Sequence, residues 1–98
     1  MAPLVLVRPV HFPPGREEVG LAWLREAMAA RERAGMLRHA ILRSRTEPAD
    51  YVALMVWPDE ATYSRWHHSP ERQRLFADQP HYMAREPTRR YELVDPTP

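Results

Sequence analysis

The sequence predicts an α+β fold, a four-stranded antiparallel sheet with helices packed on one face. Three observations lead there. Apolar stretches of strand length open the chain, follow one another closely in its middle and return near its end. A long amphipathic segment separates the first stretch from the second, and shorter helical segments separate the third from the fourth. At 98 residues there is room for one domain, spanning 1–98.

The first strand is expected over Leu4 to Phe12, apolar almost throughout, as a central strand would be. Pro9 cannot donate to a ladder, so a bulge or a break in pairing is expected there. Pro13-Pro14-Gly15 makes the turn. A helix follows from Arg16 to Ala34, with Glu17 and Glu18 in its first turn and Arg31 and Arg33 in its last, both matching the helix dipole. Its apolar stripe reads Val19, Trp23, Ala27, Ala30 and Ala34, widened by Leu24 and Met28, and Gly35 ends it.

Met36 to Arg45 and Tyr51 to Trp57 are the next two strands, joined by the polar turn T-E-P-A-D. The first carries arginines and suits an edge; the second has no charge, so both its faces are expected to be covered. Asp59 caps a helix running to about His67, and Ser69-Pro70-Glu71 starts another through E-R-Q-R-L-F-A, which Pro80 breaks. A last strand is expected over about Thr88 to Val94, then a loose tail from Asp95 to Pro98. Strand, helix, strand, strand, helix, strand is the ferredoxin-like βαββαβ order. With helices on one face only, the other face of the sheet is bare. Two copies stacking those faces would close a dimeric α+β barrel, so a homodimer is expected.

Composition narrows the chemistry. There is no Cys, which removes disulfides and thiolates, and all fourteen basic residues are Arg, so an amine nucleophile is impossible. Net charge is +1, and Arg31, Arg33, Arg38, Arg43 and Arg45, which lack interleaved aromatics, are read as a solvated helix end plus exposed strand positions, so no nucleic-acid partner is expected. No apolar run is long enough for a bilayer and no leader pattern opens the chain, so a cytoplasmic protein without a membrane partner is expected. His67 and His68 point about 100° apart on a helix, a poor metal pair, and no metal site is read. Serines 44, 64 and 69 stand in no nucleophile motif.

Three stretches together, F-P-P-G-R-E-E, R-A-G-M-L-R-H-A-I-L-R-S and W-P-D-E-A-T-Y-S-R-W-H-H-S-P, resemble the antibiotic biosynthesis monooxygenase family over about residues 4 to 94. The resemblance implies a pocket between the sheet and its helices, and oxygenation of a small phenolic or quinol-like aromatic compound without a cofactor. In that chemistry the deprotonated substrate itself reduces O2, and the protein supplies a base and a dry cavity. A haem-degrading branch is similar at Trp66. Where that branch has its iron-ligating His stands Phe76, and where it has an Asn stands Arg8, which makes haem a distant third reading. Between these lies a non-catalytic dimeric barrel that binds a small apolar molecule.

The catalytic candidates are Arg8, Tyr63 and His39. Arg8 shares a strand face with Leu4, Leu6, Val10 and Phe12, where it must meet an anion or an internal carboxylate such as Glu26 or Glu92. Tyr63, Trp66 and His67 lie on one helical face by i, i+3, i+4 spacing, either docking the helix or lining a cavity. An imidazole on a strand, at His39 or His11, titrates where a general base is useful. The substrate-binding candidates are Trp66, Trp23, Tyr51, Trp57 and Phe76.

Overall fold

The computed structural model describes residues 3–77, 84–85 and 87–94. In chain order the elements are β1 (Leu4–His11), α1 (Glu17–Arg33), β2 (Arg38–Arg43), β3 (Asp50–Trp57), α2 (Glu60–His67), α3 (Pro70–Phe76), β4 (Ala84–Arg85) and β5 (Arg89–Glu92). All pairings are antiparallel. The strands run β2-β3-β1, and β4 and β5 share the remaining edge of β1. This is the expected ferredoxin-like arrangement with its fourth strand in two pieces. Pro80, His81 and the tail from Asp95 to Pro98 lie outside the described residues.

Pro9 sits where the fourth strand divides. The ladder to β3 is unbroken from Leu4 opposite Trp57 to His11 opposite Asp50. On the other edge β5 pairs with Leu4 to Val7 and β4 with Val10 and His11, so Arg8 and Pro9 fall between them. A residue without an N–H is tolerated at such a gap. The interruption is therefore confined to one edge, and side-chain alternation survives: Leu4, Leu6, Arg8, Val10 and Phe12 are all buried on the helix side.

α1 is about 25 Å long at the usual helical rise. It closes in a Schellman motif, Gly35 N–H to Glu32 C=O at 3.1 Å and Met36 N–H to Arg31 C=O at 3.0 Å. Gly35 adopts φ +115°, and a Cβ there would lie 2.7 Å from Thr62 Cγ2 of α2. Backbone conformation and close helix approach both demand glycine at that turn. The buried stripe of α1 differs from the periodic one. Gly20, Trp23, Leu24, Ala27, Met28, Ala30 and Arg31 are buried, whereas Val19 is 45% exposed and Ala34 is exposed. Arg31, expected at a solvated helix end, is only 2% exposed.

α2 and α3 start as expected. Asp59 Oδ1 accepts the Thr62 N–H at 2.7 Å, and Ser69 Oγ accepts the Arg72 N–H at 3.2 Å ahead of Pro70. The chain's own helices cover one face of β1 and β3. Val5, Val7, Val52 and Leu54, on the side away from the helices, are half-buried; Leu42 and Tyr91 beside them are 50% and 46% exposed. Among the described residues no helix is long and apolar enough to cross a membrane.

Candidate functional site

The sheet register lays out the helix-side layer row by row. Trp57 lies opposite Leu4, Met55 opposite Leu6, Ala53 opposite Arg8 and Tyr51 opposite Val10. β2 adds His39 beside Met55, Ile41 beside Ala53 and Arg43 beside Tyr51; β5 adds Arg90 beside Leu6 and Glu92 beside Leu4. Arg8 and His39 thus stand two strands and one row apart, with Ala53 and Met55 between them. At ~4.8 Å per strand their Cα atoms are on the order of 10 Å apart, and each side chain turns to a different partner, Arg8 to Thr88 and His39 to Glu32.

Each catalytic candidate has a definite setting. Arg8, 5% exposed, donates from Nε to Thr88 Oγ1 at 2.7 Å. Glu26 and Glu92 line grooves elsewhere, the former with Arg33, Glu71 and Arg74, the latter with Glu60 and Arg90. His39 is exposed at the rim, its Nδ1 2.8 Å from Glu32 Oε1. Tyr63 is buried. Its ring meets Trp57 edge-on at 5.5 Å, and its hydroxyl lies 3.3 Å from Nδ1 of His67, one turn along α2.

That hydroxyl belongs to a cleft between α2 and β5 of about 170 Å³, lined by Glu60, Tyr63, Ser64, His67, His68 and Arg90. The Arg90 guanidinium stands 5.4 Å from the Tyr63 ring centroid and also pairs with Glu60. A second groove, about 280 Å³, lies along Pro3, Leu4, Tyr91 and Glu92 and shares Glu60 and Arg90 with the first. His67 is exposed and packs edge-on against His68 at 5.1 Å; His68 Nδ1 lies 2.8 Å from the Ser64 carbonyl oxygen. Among the described residues no three His, Cys, Asp or Glu side chains are grouped to hold a metal ion.

The other candidates form two further groups. Trp23 meets Phe76 edge-on at 5.2 Å and donates from Nε1 to the Leu75 carbonyl at 3.1 Å. Arg31 lies 5.8 Å from the Trp66 ring and 5.4 Å from that of Phe76, and its Nη1 is 3.7 Å from Met28 sulfur. Those aromatic faces explain how a guanidinium tolerates burial inside the helix stripe. Tyr51 lies at the far end of β3. Its hydroxyl donates to Glu17, with Arg43 Nη1 3.8 Å from the same carboxylate, and Phe12 packs edge-on at 4.9 Å. The bond to Glu17, reinforced by burial, pushes the Tyr51 phenol above its ordinary value.

Trp57 is fully buried, yet among the described residues its Nε1–H has no hydrogen-bond partner. Buried donors are almost always satisfied, so this one stands out. Sequence reasoning missed Arg90 and Arg31. For Arg90 the signal was the alternation in R-R-Y-E, which acquires meaning only from the β1–β5 register. For Arg31 it was the i, i+3, i+4 spacing from Ala27 and Met28, outweighed by its charge.

A sequence profile described as antibiotic biosynthesis monooxygenase matches residues 3–78. Among solved structures, SnoaB, a cofactor-independent oxygenase from Streptomyces nogalater, aligns with a TM-score of 0.87 at 19% identity, covering 100% of this chain and 99% of that one. Protein SO0527 from Shewanella oneidensis aligns at 0.78 and 21%, covering 94% and 91%. A conserved protein from Methanosarcina mazei Go1 aligns at 0.80 and 14%, covering 93% and 92%. Identities this low establish a shared fold and nothing finer. No curated protein matches the sequence.

Proposed function

The chain belongs to the antibiotic biosynthesis monooxygenase family, and from that premise we propose that it is a cofactor-independent monooxygenase of a small phenolic or quinol-like aromatic compound. The observation that carries this reading is Tyr63: a buried phenol whose hydroxyl opens on a cleft, with a guanidinium at its ring and an imidazole at its oxygen. A phenolic substrate must lose its proton before it can pass an electron to O2. Such a cleft offers proton-transfer groups, a positive charge for the phenolate, and aromatic walls. Arg8, Trp66, Trp23 and Phe76 are proposed to bound the substrate space on the helix side of the sheet.

The working unit is proposed to be a cytoplasmic homodimer. Val5, Val7, Val52, Leu54, Leu42 and Tyr91 present an apolar sheet face that the chain's own helices do not cover. Such a surface is costly in water and is self-complementary by symmetry. Leu54→Arg would place a charge at its centre; sedimentation should then give a monomer where the unaltered chain gives a dimer.

A second reading draws on the separation of Arg8 from His39. With Ala53 and Met55 between them, the barrel would bind a small apolar ligand without acting on it. Oxygen uptake decides between the two. Metal-free protein is incubated with a panel of anthrones and quinols, alongside Arg8→Ala and Tyr63→Phe. Uptake that falls at least tenfold in Tyr63→Phe supports catalysis, since acid–base groups contribute about 10²–10⁴. Saturable binding of the same compounds with no uptake supports the binding barrel.

A further inference from the structure

We infer that His67 is the proton acceptor behind Tyr63, and that the α2–β5 cleft takes the single hydroxyl-bearing ring of the substrate. The inference rests on the monooxygenase reading for its place in a reaction, but the proton transfer itself is testable without turnover.

The geometry is a two-member relay. His67 Nδ1 lies 3.3 Å from the Tyr63 hydroxyl oxygen. With its proton on Nε2, the imidazole presents a lone pair at Nδ1, and the phenol donates to it. The Tyr63 oxygen then has lone pairs left for a hydroxyl entering the cleft. As the substrate O–H gives its proton to the Tyr63 oxygen, the Tyr63 proton moves to Nδ1. A substrate phenolate and an imidazolium result, the electron pair of the broken O–H bond stays on the substrate, and Tyr63 is unchanged. His67 is exposed, so its imidazolium can release a proton to bulk water, whereas Tyr63 is mostly buried and passes its proton to His67.

The surroundings suit that transfer. Among the described residues, the titratable and charged groups that share the cleft with His67 are Glu60, Tyr63 and His68 on α2 and Arg90 on β5. Glu60 and Arg90 offset one another, and His68 Nδ1 is taken up by the Ser64 carbonyl. When a phenolate forms, Arg90 is the cation at hand. The cleft volume, about 170 Å³, is close to the ~150 Å³ of a cavity that binds one benzene ring. A larger substrate would have to continue past the Glu60–Arg90 bridge into the neighbouring groove.

His67 acts through Tyr63, so its test needs a signal that a merely structural hydrogen bond would not move. The probe is 4-nitrophenol, a one-ring phenol whose phenolate absorbs visibly, titrated with and without the purified full chain. The bound dye is expected to ionise about one pH unit or more below the free dye, the shift a facing opposite charge produces. His67→Gln and Tyr63→Phe should each cut the shift to the part that Arg90 alone sustains, while the dye still binds. His11→Gln, on the outer side of the sheet, should keep it whole. No binding, or a shift undiminished in His67→Gln, overturns the inference. With a quinol substrate, His67→Gln should also erase the rise of kcat/KM with pH that a relay base imposes, and a rise that persists overturns the relay. A wild-type chain that shifts the dye but takes up no O2 with any quinol removes the monooxygenase reading and leaves the relay standing.

Discussion

Tyr51 and Tyr63 are buried phenols on the same side of one sheet, at opposite ends of β3, and they differ in the group that holds the hydroxyl. Tyr51 donates to the Glu17 carboxylate at the first turn of α1, with Arg43 beside it. Tyr63 meets a histidine in an open cleft. A carboxylate fixes the proton on Tyr51 and raises the pH at which it leaves. An imidazole is a base that can take a proton and return it near neutrality. The first arrangement ties a helix to a strand; the second can move charge. Residue type and burial are shared, so the partner alone separates the phenol that ties a helix to a strand from the one proposed to react.

The sharpest way to break this comparison is to remove each hydroxyl in turn. Tyr63→Phe is expected to lower kcat for quinol oxidation about hundredfold, with the melting temperature almost unchanged because the ring contact to Trp57 survives. Tyr51→Phe is expected to leave kcat within about twofold, since its hydroxyl is committed to Glu17. Equal losses of kcat would show that both phenols serve the reaction.

Gly35→Ala should come next in size. Its strained φ and the contact with Thr62 act on α2 and hence on the Tyr63 end, and about 2 kcal/mol of stability should be lost in urea unfolding. A neutral effect would mean that α2 can shift without cost. Tyr51→Phe should then cost about 1 kcal/mol at neutral pH by removing one hydrogen bond to a charged acceptor.

That stability has a pH signature. The folded phenol holds its proton more tightly than the unfolded one, so its contribution is complete below the ordinary phenol value and fades as pH rises through the raised one. Unfolding followed above about pH 10 should therefore lose a component that Tyr51→Phe lacks.

Smaller effects refine the α2 end. The Thr62 N–H holds the Asp59 carboxylate below its ordinary value. Its contribution is present above that ordinary value and is lost as pH falls through the lowered one. Asp59→Ala should cost a few degrees of melting temperature at neutral pH and almost nothing near pH 2. Trp57→Phe removes a buried donor that has no partner among the described residues, so any stability lost reports the smaller ring in the core and not a broken bond; if a substrate oxygen uses that N–H, KM should rise.

Much of the scaffold was legible in the residue pattern because it rests on local rules. Asp59 and Ser69 cap helices through their own side chains, and Gly35 ends α1 by adopting a conformation few other residues tolerate. Alternation along β1 grouped Arg8 with Leu4, Leu6, Val10 and Phe12, the family resemblance implied that this face lies under the helices, and Arg8 is buried there. The end proposed to react was less legible. Tyr63 and His67 could be paired by helical spacing, but Arg90 reaches them through a strand 23 residues further along the chain. Arg31 was assigned to solvent on charge, and the aromatic faces that shelter it come from α2 and α3.

The sequence by itself determined the order of the elements, their caps and turns, the absence of thiol and amine chemistry, and a sheet with more apolar surface than its helices cover. These follow from periodicity and composition, which are fixed as soon as the residues are written. Only the tertiary structure decided which side chains share a space. The β1–β5 register carried Arg90 to Tyr63, and a separation of two strands kept His39 from Arg8. Such distances depend on how strands far apart in the chain align, and a one-residue slip would reverse every face without changing a single local preference.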